Sequence, residues 1–228
     1  MKIIAIIPAR GGSKGIPRKN LVTLNKKPLI EYTIKAAIQS QCFESVIVST
    51  DDEEIAMVSR SLGASVPFLR PSKLSNDKAK SVDAIIDCLN RLDTDYDAVC
   101  LLQPTAPLRN VHDIRKSLEL YLDHKGDCDS LVSICRLEEP HPFKLKAIND
   151  GYVIPFLPGK SSELPRQDLP PAYILTGAIY ITDIKVLKEK KSFFGNKTIP
   201  YYMPEERAVN IDSIKDIYLA EYYLKAGI

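Results

Sequence analysis

The chain has 228 residues, 45% of them hydrophobic, which suits one elaborated domain with a sizeable core of its own. Its 31 Lys and Arg stand against 29 Asp and Glu, a net charge of +2, so the overall balance gives no drive toward nucleic acid or a membrane surface. No apolar run approaches the ~20 residues that cross a bilayer, and the five cysteines (Cys42, Cys88, Cys100, Cys128, Cys135) form no C-x-x-C pair, which reads as reduced thiols in a cytoplasmic protein without a zinc site.

In chain order, residues 2–7 read as a buried first strand, since Pro8 and Arg10 follow the apolar run too soon for a signal peptide. Next comes Ala9-Arg10-Gly11-Gly12-Ser13-Lys14-Gly15-Ile16-Pro17-Arg18-Lys19-Asn20. Glycines let backbone N–H groups turn toward a ligand, and basic side chains add charge-assisted hydrogen bonds to phosphate oxygens. The plain reading is a cradle for a polyphosphate; the alternative is a solvated basic turn. It is not a P-loop, because Lys14 precedes Gly15, and it lacks the Rossmann spacing, because the glycines stand at 11, 12 and 15. Further strands are expected over 45–50, 65–69, 97–102 and 130–135, and helices over 28–38, 52–61, 80–91 and 111–123. This alternation predicts an α/β fold with a mainly parallel sheet and helices on both faces. Ligands of such sheets collect at the carboxyl ends of the strands, where the basic loop, Ser49-Thr50-Asp51, Arg70 and Gln103-Pro104-Thr105 all fall. Residues 136–172 break the pattern with seven prolines and an Asn149-Asp150-Gly151 turn between two short strand-like runs. A loop-rich insertion of this length is usually functional. Ala178-Ile179-Tyr180-Ile181 reads as a returning core strand, and the chain closes in a helix near 213–226. The expected organisation is one domain over 1–228, with 136–172 inserted in it.

Ala9 to Asn20 resembles the N-terminal signature of the CMP-sialic acid synthetases (acylneuraminate cytidylyltransferases). The resemblance continues through Val48-Ser49-Thr50-Asp51, Leu69-Arg70-Pro71, the stretch Leu101 to Arg109, Pro165-Arg166-Gln167, Gly177 to Ile181 and Asn210-Ile211-Asp212. It implies a three-layer sheet of the nucleotide-diphospho-sugar transferase type, with 136–172 as a protruding dimerisation arm that closes over a second subunit's site. A surface hairpin with no partner is the other reading of that arm. The resemblance also implies transfer of CMP from CTP to the anomeric hydroxyl of a nine-carbon α-keto sugar acid, with Mg²⁺, in a homodimer.

By the same resemblance Arg10, Lys19 and Asn20 contact the triphosphate, with Ser13 and Lys14 close by, while Arg18 is read as solvated. Arg70, the backbone around Ala79 and Ser81 correspond to contacts with base and ribose. Gln103, Arg166 and Tyr180 correspond to contacts with the sugar acid, Lys144 to a lysine on the arm, and Phe193-Phe194 to an aromatic pair that packs on the acceptor's N-acyl methyl. Thr176 stands where some members have asparagine. Asp212 is the candidate magnesium ligand, with Asn210 beside it where the family typically has aspartate. An amide oxygen brings no charge, so the metal should be held more weakly. Asp212 could also assist deprotonation of the acceptor, or merely cap the last helix. Arg10, Lys19 and Asp212 are the candidate catalytic residues. Two alternatives stay open. The acceptor could be legionaminate, pseudaminate or the eight-carbon acid Kdo, although Kdo synthetases usually carry Gln-Gly-Asp where this chain has Gln103-Pro104-Thr105. Or the chain could be a non-catalytic nucleotide-binding homologue.

Overall fold

The computed structural model describes residues 1–159 and 163–227. In chain order its elements are β1 (Ile3–Pro8), β2 (Thr23–Leu24), β3 (Lys27–Pro28), α1 (Leu29–Ser40), β4 (Ser45–Ser49), α2 (Glu53–Ser61), α3 (Ser81–Asn90), β5 (Ala98–Leu101), α4 (Val111–Asp123), β6 (Ser130–Leu137), β7 (Lys146–Asn149), β8 (Tyr152–Pro155), β9 (Ala172–Asp183), α5 (Ile184–Lys190), β10 (Thr198–Tyr202) and α6 (Ile214–Ala226). The main sheet has the order β10-β6-β9-β5-β1-β4. Neighbours pair in parallel except where β9 runs against both β5 and β6.

Alternation along β1 builds the three layers. Ile3, Ala5 and Ile7 join one buried cluster with Ile30 and Ile34 of α1, Ile55 of α2, and Ile114 and Leu118 of α4. Ile4 and Ile6 join the opposite cluster with Val82 and Ile85 of α3 and Leu187 of α5. Helix starts follow local chemistry. Asp52 accepts from Ile55 N at 3.0 Å to cap α2. Asn110 and Asp113 form a reciprocal capping box on α4.

Residues 65–69 do not form a strand. Only Ser65 bridges Ile47, and the chain then leaves the sheet toward Pro71. The sequence reading also passed over α5, which is only seven residues long, and β10. Pro200 argues against a strand in sequence, but β10 lies at the sheet edge, where a missing N–H is tolerated.

Between β6 and β9 the ladder slips. Val132 faces Tyr180, yet Ile134 faces Leu175. The extra β9 residues bulge around Gly177, which takes φ +72°. Ser133 holds the bulge: its Oγ lies 2.6 Å from Thr176 Oγ1 and 2.9 Å from Ile179 N, from which it accepts. A Cβ at Gly177 would come within 2.5 Å of Gln103 Oε1. Gly177→Ala is therefore expected to lower stability by about 1 kcal/mol through the left-handed backbone, and to push Gln103 aside. A thermal melt checks the first effect, and the position of Gln103 in a structure of the variant checks the second.

The segment 138–171 between β6 and β9 carries the β7–β8 hairpin on the expected Asn149–Gly151 turn, with Asp150 at φ 50° and Gly151 at φ 81°. Residues 160–162 of it lie outside the described residues. His141 secures its base by donating from Nε2 to Pro170 O at 2.9 Å.

Candidate active site

A cleft of about 330 Å³ opens at the carboxyl ends of β1, β4 and β5. Arg10, Ser13, Lys19, Asn20, Arg70, Ala79, Ser81, Gln103, Asn210 and Asp212 all line it, so ten of the residues singled out from sequence converge. The basic loop is held there by a buried isoleucine. Ile16 is buried with Val209 and Ile211, in a small cluster shared with α6, a burial worth ~1.5–3 kcal/mol. Gly15 permits the approach, since a Cβ there would come within 2.7 Å of Asp212 O.

Lys19 crosses that contact. Its Nζ donates to Ile211 O and to Asp212 Oδ1, both at 2.9 Å. Asp212 Oδ2 accepts from Asn210 Nδ2 at 2.9 Å. Residues 210–212 are not a strand, so β alternation is not what pairs Asn210 with Asp212; the hydrogen bond does so directly. Nor does Asp212 cap the last helix. Ser213 is its N-cap, and Asp216 bonds back to it, accepting from Ser213 N at 2.7 Å.

On the opposite wall, Asn20 Nδ2 donates to Arg10 O at 2.9 Å and fixes the loop. Arg10 Nη1 and Lys14 Nζ meet the two oxygens of Asp77 at 3.0 and 2.8 Å. Lys14 first, then Arg10, holds the Asp77 carboxyl below the usual carboxylate range. Arg70 is buried, anchored by its N–H to Thr50 O at 2.7 Å. Its Nη2 lies 3.7 Å from Asp51 Oδ1, which already accepts from Gly11 N at 3.0 Å. Arg70 Nε and Nη2 have no hydrogen-bond partner. Burial foremost, with Arg10 adding repulsion, lowers its pKa. A buried guanidinium left this way is costly unless a ligand completes it.

A second cavity of about 310 Å³ adjoins the cleft and shares Lys80, Ser81 and Gln103 with it. Tyr180, Phe193 and Phe194 line it, together with Val82 and Leu101. The Tyr180 and Phe193 rings are 5.7 Å apart, and Phe193 O accepts from Thr182 Oγ1 at 2.9 Å. This cavity is mostly apolar with a polar rim toward the first.

Four sequence candidates line neither of these two cavities. Lys14 stands at the edge of the cleft, mostly exposed, through Asp77. Thr176 is buried, and its hydroxyl is engaged by Ser133 and Met203 within the β9 bulge, so it does not present itself to a ligand. Arg166 pairs with Glu138 and Glu139 at the base of the insertion, and Lys144 sits on a short turn there, exposed. Arg18 is not solvated alone; it is bound by Asp52 and Glu54 outside the cleft. Sequence reasoning missed Asp51 and Asp77 as partners of the basic groups, and Lys191 on the rim of the apolar cavity. Asp51 was already in view two residues past the carboxyl end of β4, but its bond from Gly11 N was not.

Residues 4–154 match the family model described as Cytidylyltransferase. The chain belongs to the cytidylyltransferase family. It is 40% identical over 220 residues to an N-acylneuraminate cytidylyltransferase of Escherichia coli O18:K1:H7, covering 96% of this chain and 51% of that protein. This cytidylyltransferase chain thus spans about half the length of the first curated relatives it matches. It is 38% identical over 231 residues to a CMP-N,N'-diacetyllegionaminic acid synthase of Legionella pneumophila, covering 97% and 95% of the two chains. Among solved structures it resembles a CMP:2-keto-3-deoxy-manno-octonic acid synthetase complexed with CTP, with a TM-score of 0.75 and 18% identity over the whole of both chains. At that identity the likeness shows the cytidylyltransferase fold alone.

Proposed function

We propose that the chain transfers CMP from CTP to the anomeric hydroxyl of a nine-carbon α-keto sugar acid, N-acetylneuraminate or a relative such as legionaminate. The observation that carries this reading is the pair of adjoining cavities. One is basic, with the unpartnered Arg70 in its wall. The other is apolar and joined to it at Gln103, Lys80 and Ser81. In this reading the triphosphate replaces Asp77 on Arg10 and Lys14, with Ser13 and Asn20 beside it. The base and ribose lie against Arg70, Ala79 and Ser81. The acceptor lies on Gln103 and Tyr180 with its N-acyl group against Phe193 and Phe194.

The acceptor oxygen forms a bond to the α-phosphorus as the bond to pyrophosphate breaks, and the acceptor's proton passes to Asp212 or to water held by it. Lys19, bridging Ile211 and Asp212, places its charge where the leaving oxygens gain theirs. Asp212 and Asn210 suit Mg²⁺, because this ion needs only one or two protein oxygens beside phosphates and water. When bound, Mg²⁺ would draw charge from the phosphate oxygens. Among the described residues no cluster of three or more His, Cys, Asp and Glu offers a full protein cage. Asn210→Asp is expected to lower the Mg²⁺ concentration for half-maximal activity by roughly tenfold, since it adds a charged ligand. A metal titration of turnover checks it.

The exposed Ile148, Val153 and Phe156 of the insertion and Ile174 and Leu175 of β9 support a homodimer in which this arm carries Lys144 and Arg166 toward a partner's acceptor cavity. The free thiols of all five cysteines support a cytoplasmic setting; no helix among the described residues is long and apolar enough to cross a membrane. The residue Asn210 favours a second reading, a nucleotide-binding homologue without turnover. Pyrophosphate release with CTP and Mg²⁺ against N-acetylneuraminate, legionaminate, pseudaminate and Kdo separates them. Release with a nine-carbon acid supports the proposal; release with Kdo alone, or CTP binding without release, overturns it.

A further inference from the structure

A third cavity, of about 350 Å³, lies on the far side of the segment that floors the cleft. Pro104 and Thr105 line the cleft, whereas Pro107, Leu108 and Arg109 line this pocket, together with residues of α1 and Leu224 of α6. Arg109 is only 2% exposed. Its Nη1 donates to Ala106 O at 2.9 Å, while Nε and Nη2 are buried with no hydrogen-bond partner. Burial pulls its pKa down to about 10, which still leaves it charged at neutral pH. The carboxylates around it are engaged elsewhere. Glu31 pairs with Lys35 at 2.6 Å. Asp113 accepts from Arg207 Nε and Nη2 at 3.0 and 2.9 Å and from Tyr201 at 3.1 Å. Lys27 adds a further positive charge at the rim, its Nζ 5.8 Å from the centre of the Tyr32 ring.

Among the described residues one other arginine is left in this state, Arg70, and it faces the nucleotide cleft. Leaving a buried cation incompletely hydrogen-bonded is unfavourable, and an oxyanion satisfies a guanidinium best, through two parallel bonds. Apolar Leu108, Leu224 and the Tyr32 ring line the same pocket as Arg109, so a bare ion would leave most of it unfilled.

We propose that this pocket is a second ligand site, separate from the cleft, that takes a small organic anion: its carboxylate or phosphate on Arg109, its apolar or ring body against Tyr32, Leu108 and Leu224. Neither substrate of the proposed reaction is required there, so the site stands or falls independently of that reading.

The test uses the full chain saturated with CTP, so that the cleft is filled, and follows backbone amide signals during titration with benzoate, phenyl phosphate and inorganic phosphate. Benzoate or phenyl phosphate should shift the signals of residues 108–111 and Ala36, and the better of the two names the head group; inorganic phosphate should bind more weakly than phenyl phosphate. Leu224→Trp, which fills the mouth from α6, and Lys27→Glu should each weaken binding about tenfold or more, with CTP turnover unchanged. No shift at those positions, or shifts that survive both substitutions undiminished, would overturn the proposal.

Discussion

Replacing Asp212 with alanine is expected to cut pyrophosphate release by about 10²–10³-fold while the protein stays folded and still binds CTP. The side chain is 70% exposed, so its loss opens no cavity. The last helix keeps its start, because Asp216, not Asp212, receives the Ser213 N–H. Lys19 keeps its bond to Ile211 O and so stays aimed at the cleft. What disappears is the carboxylate that, in the proposed reaction, would share a metal ion with the phosphates or draw the acceptor's proton. The check is turnover at saturating substrates beside a thermal melt. Activity within a few-fold of the unaltered protein would remove Asp212 from the reaction; a collapsed melt would mean that its carboxylate, through Lys19 and Asn210, holds the loop together.

Arg70→Met should separate stability from binding in the opposite sense. The arginine is buried, with two nitrogens unpaired and a carboxylate no nearer than 3.7 Å. A methionine of similar length fills the same space and buries no charge. The apparent melting temperature is expected to rise by roughly 2–4 °C, the shift that ~1 kcal/mol produces in a chain of this size. Affinity for CTP should fall by about tenfold or more, because a charge-assisted partner of the nucleotide is gone. Calorimetric melting and a CTP titration on the same preparation decide it. A lower melting temperature with unchanged affinity would make Arg70 a structural residue.

Much of the fold could be read from the chain because the strands β1, β4, β5 and β6 are short, apolar and punctuated, and the helices between them carry periodic faces. The segment 65–69 misled because its apolar content matches a strand, although only Ser65 joins the sheet edge, donating to Val46 O and accepting from Val48 N, before Arg70 N donates to Thr50 O. The antiparallel course of β9 and its three-residue slip at Ser133 were invisible, since neither strand direction nor register is written in local composition. The basic loop announced itself by residue type at a strand end. Its carboxylate partners did not, because Asp51 and Asp77 lie 40 or more positions away and only the folded chain brings them to Gly11 and Arg10. Thr176 was placed by position in a motif, but the motif sits in the bulge, where the hydroxyl serves Ser133.

Asp77 gives the cleft an internal counter-ion. With its two oxygens on Arg10 and Lys14, part of the loop's positive field is cancelled before any nucleotide arrives. In the proposed reaction an incoming triphosphate would therefore trade places with a carboxylate instead of falling into bare charge. Long-range attraction is muted, and the affinity gained should depend less on ionic strength than an unscreened cluster of cations would make it. The displaced carboxylate belongs to the loop that continues into Ala79 and Ser81, so its departure is felt where the nucleoside would lie. On the proposed reading, occupancy at the phosphates and the shape of the base pocket would thus be two sides of one exchange.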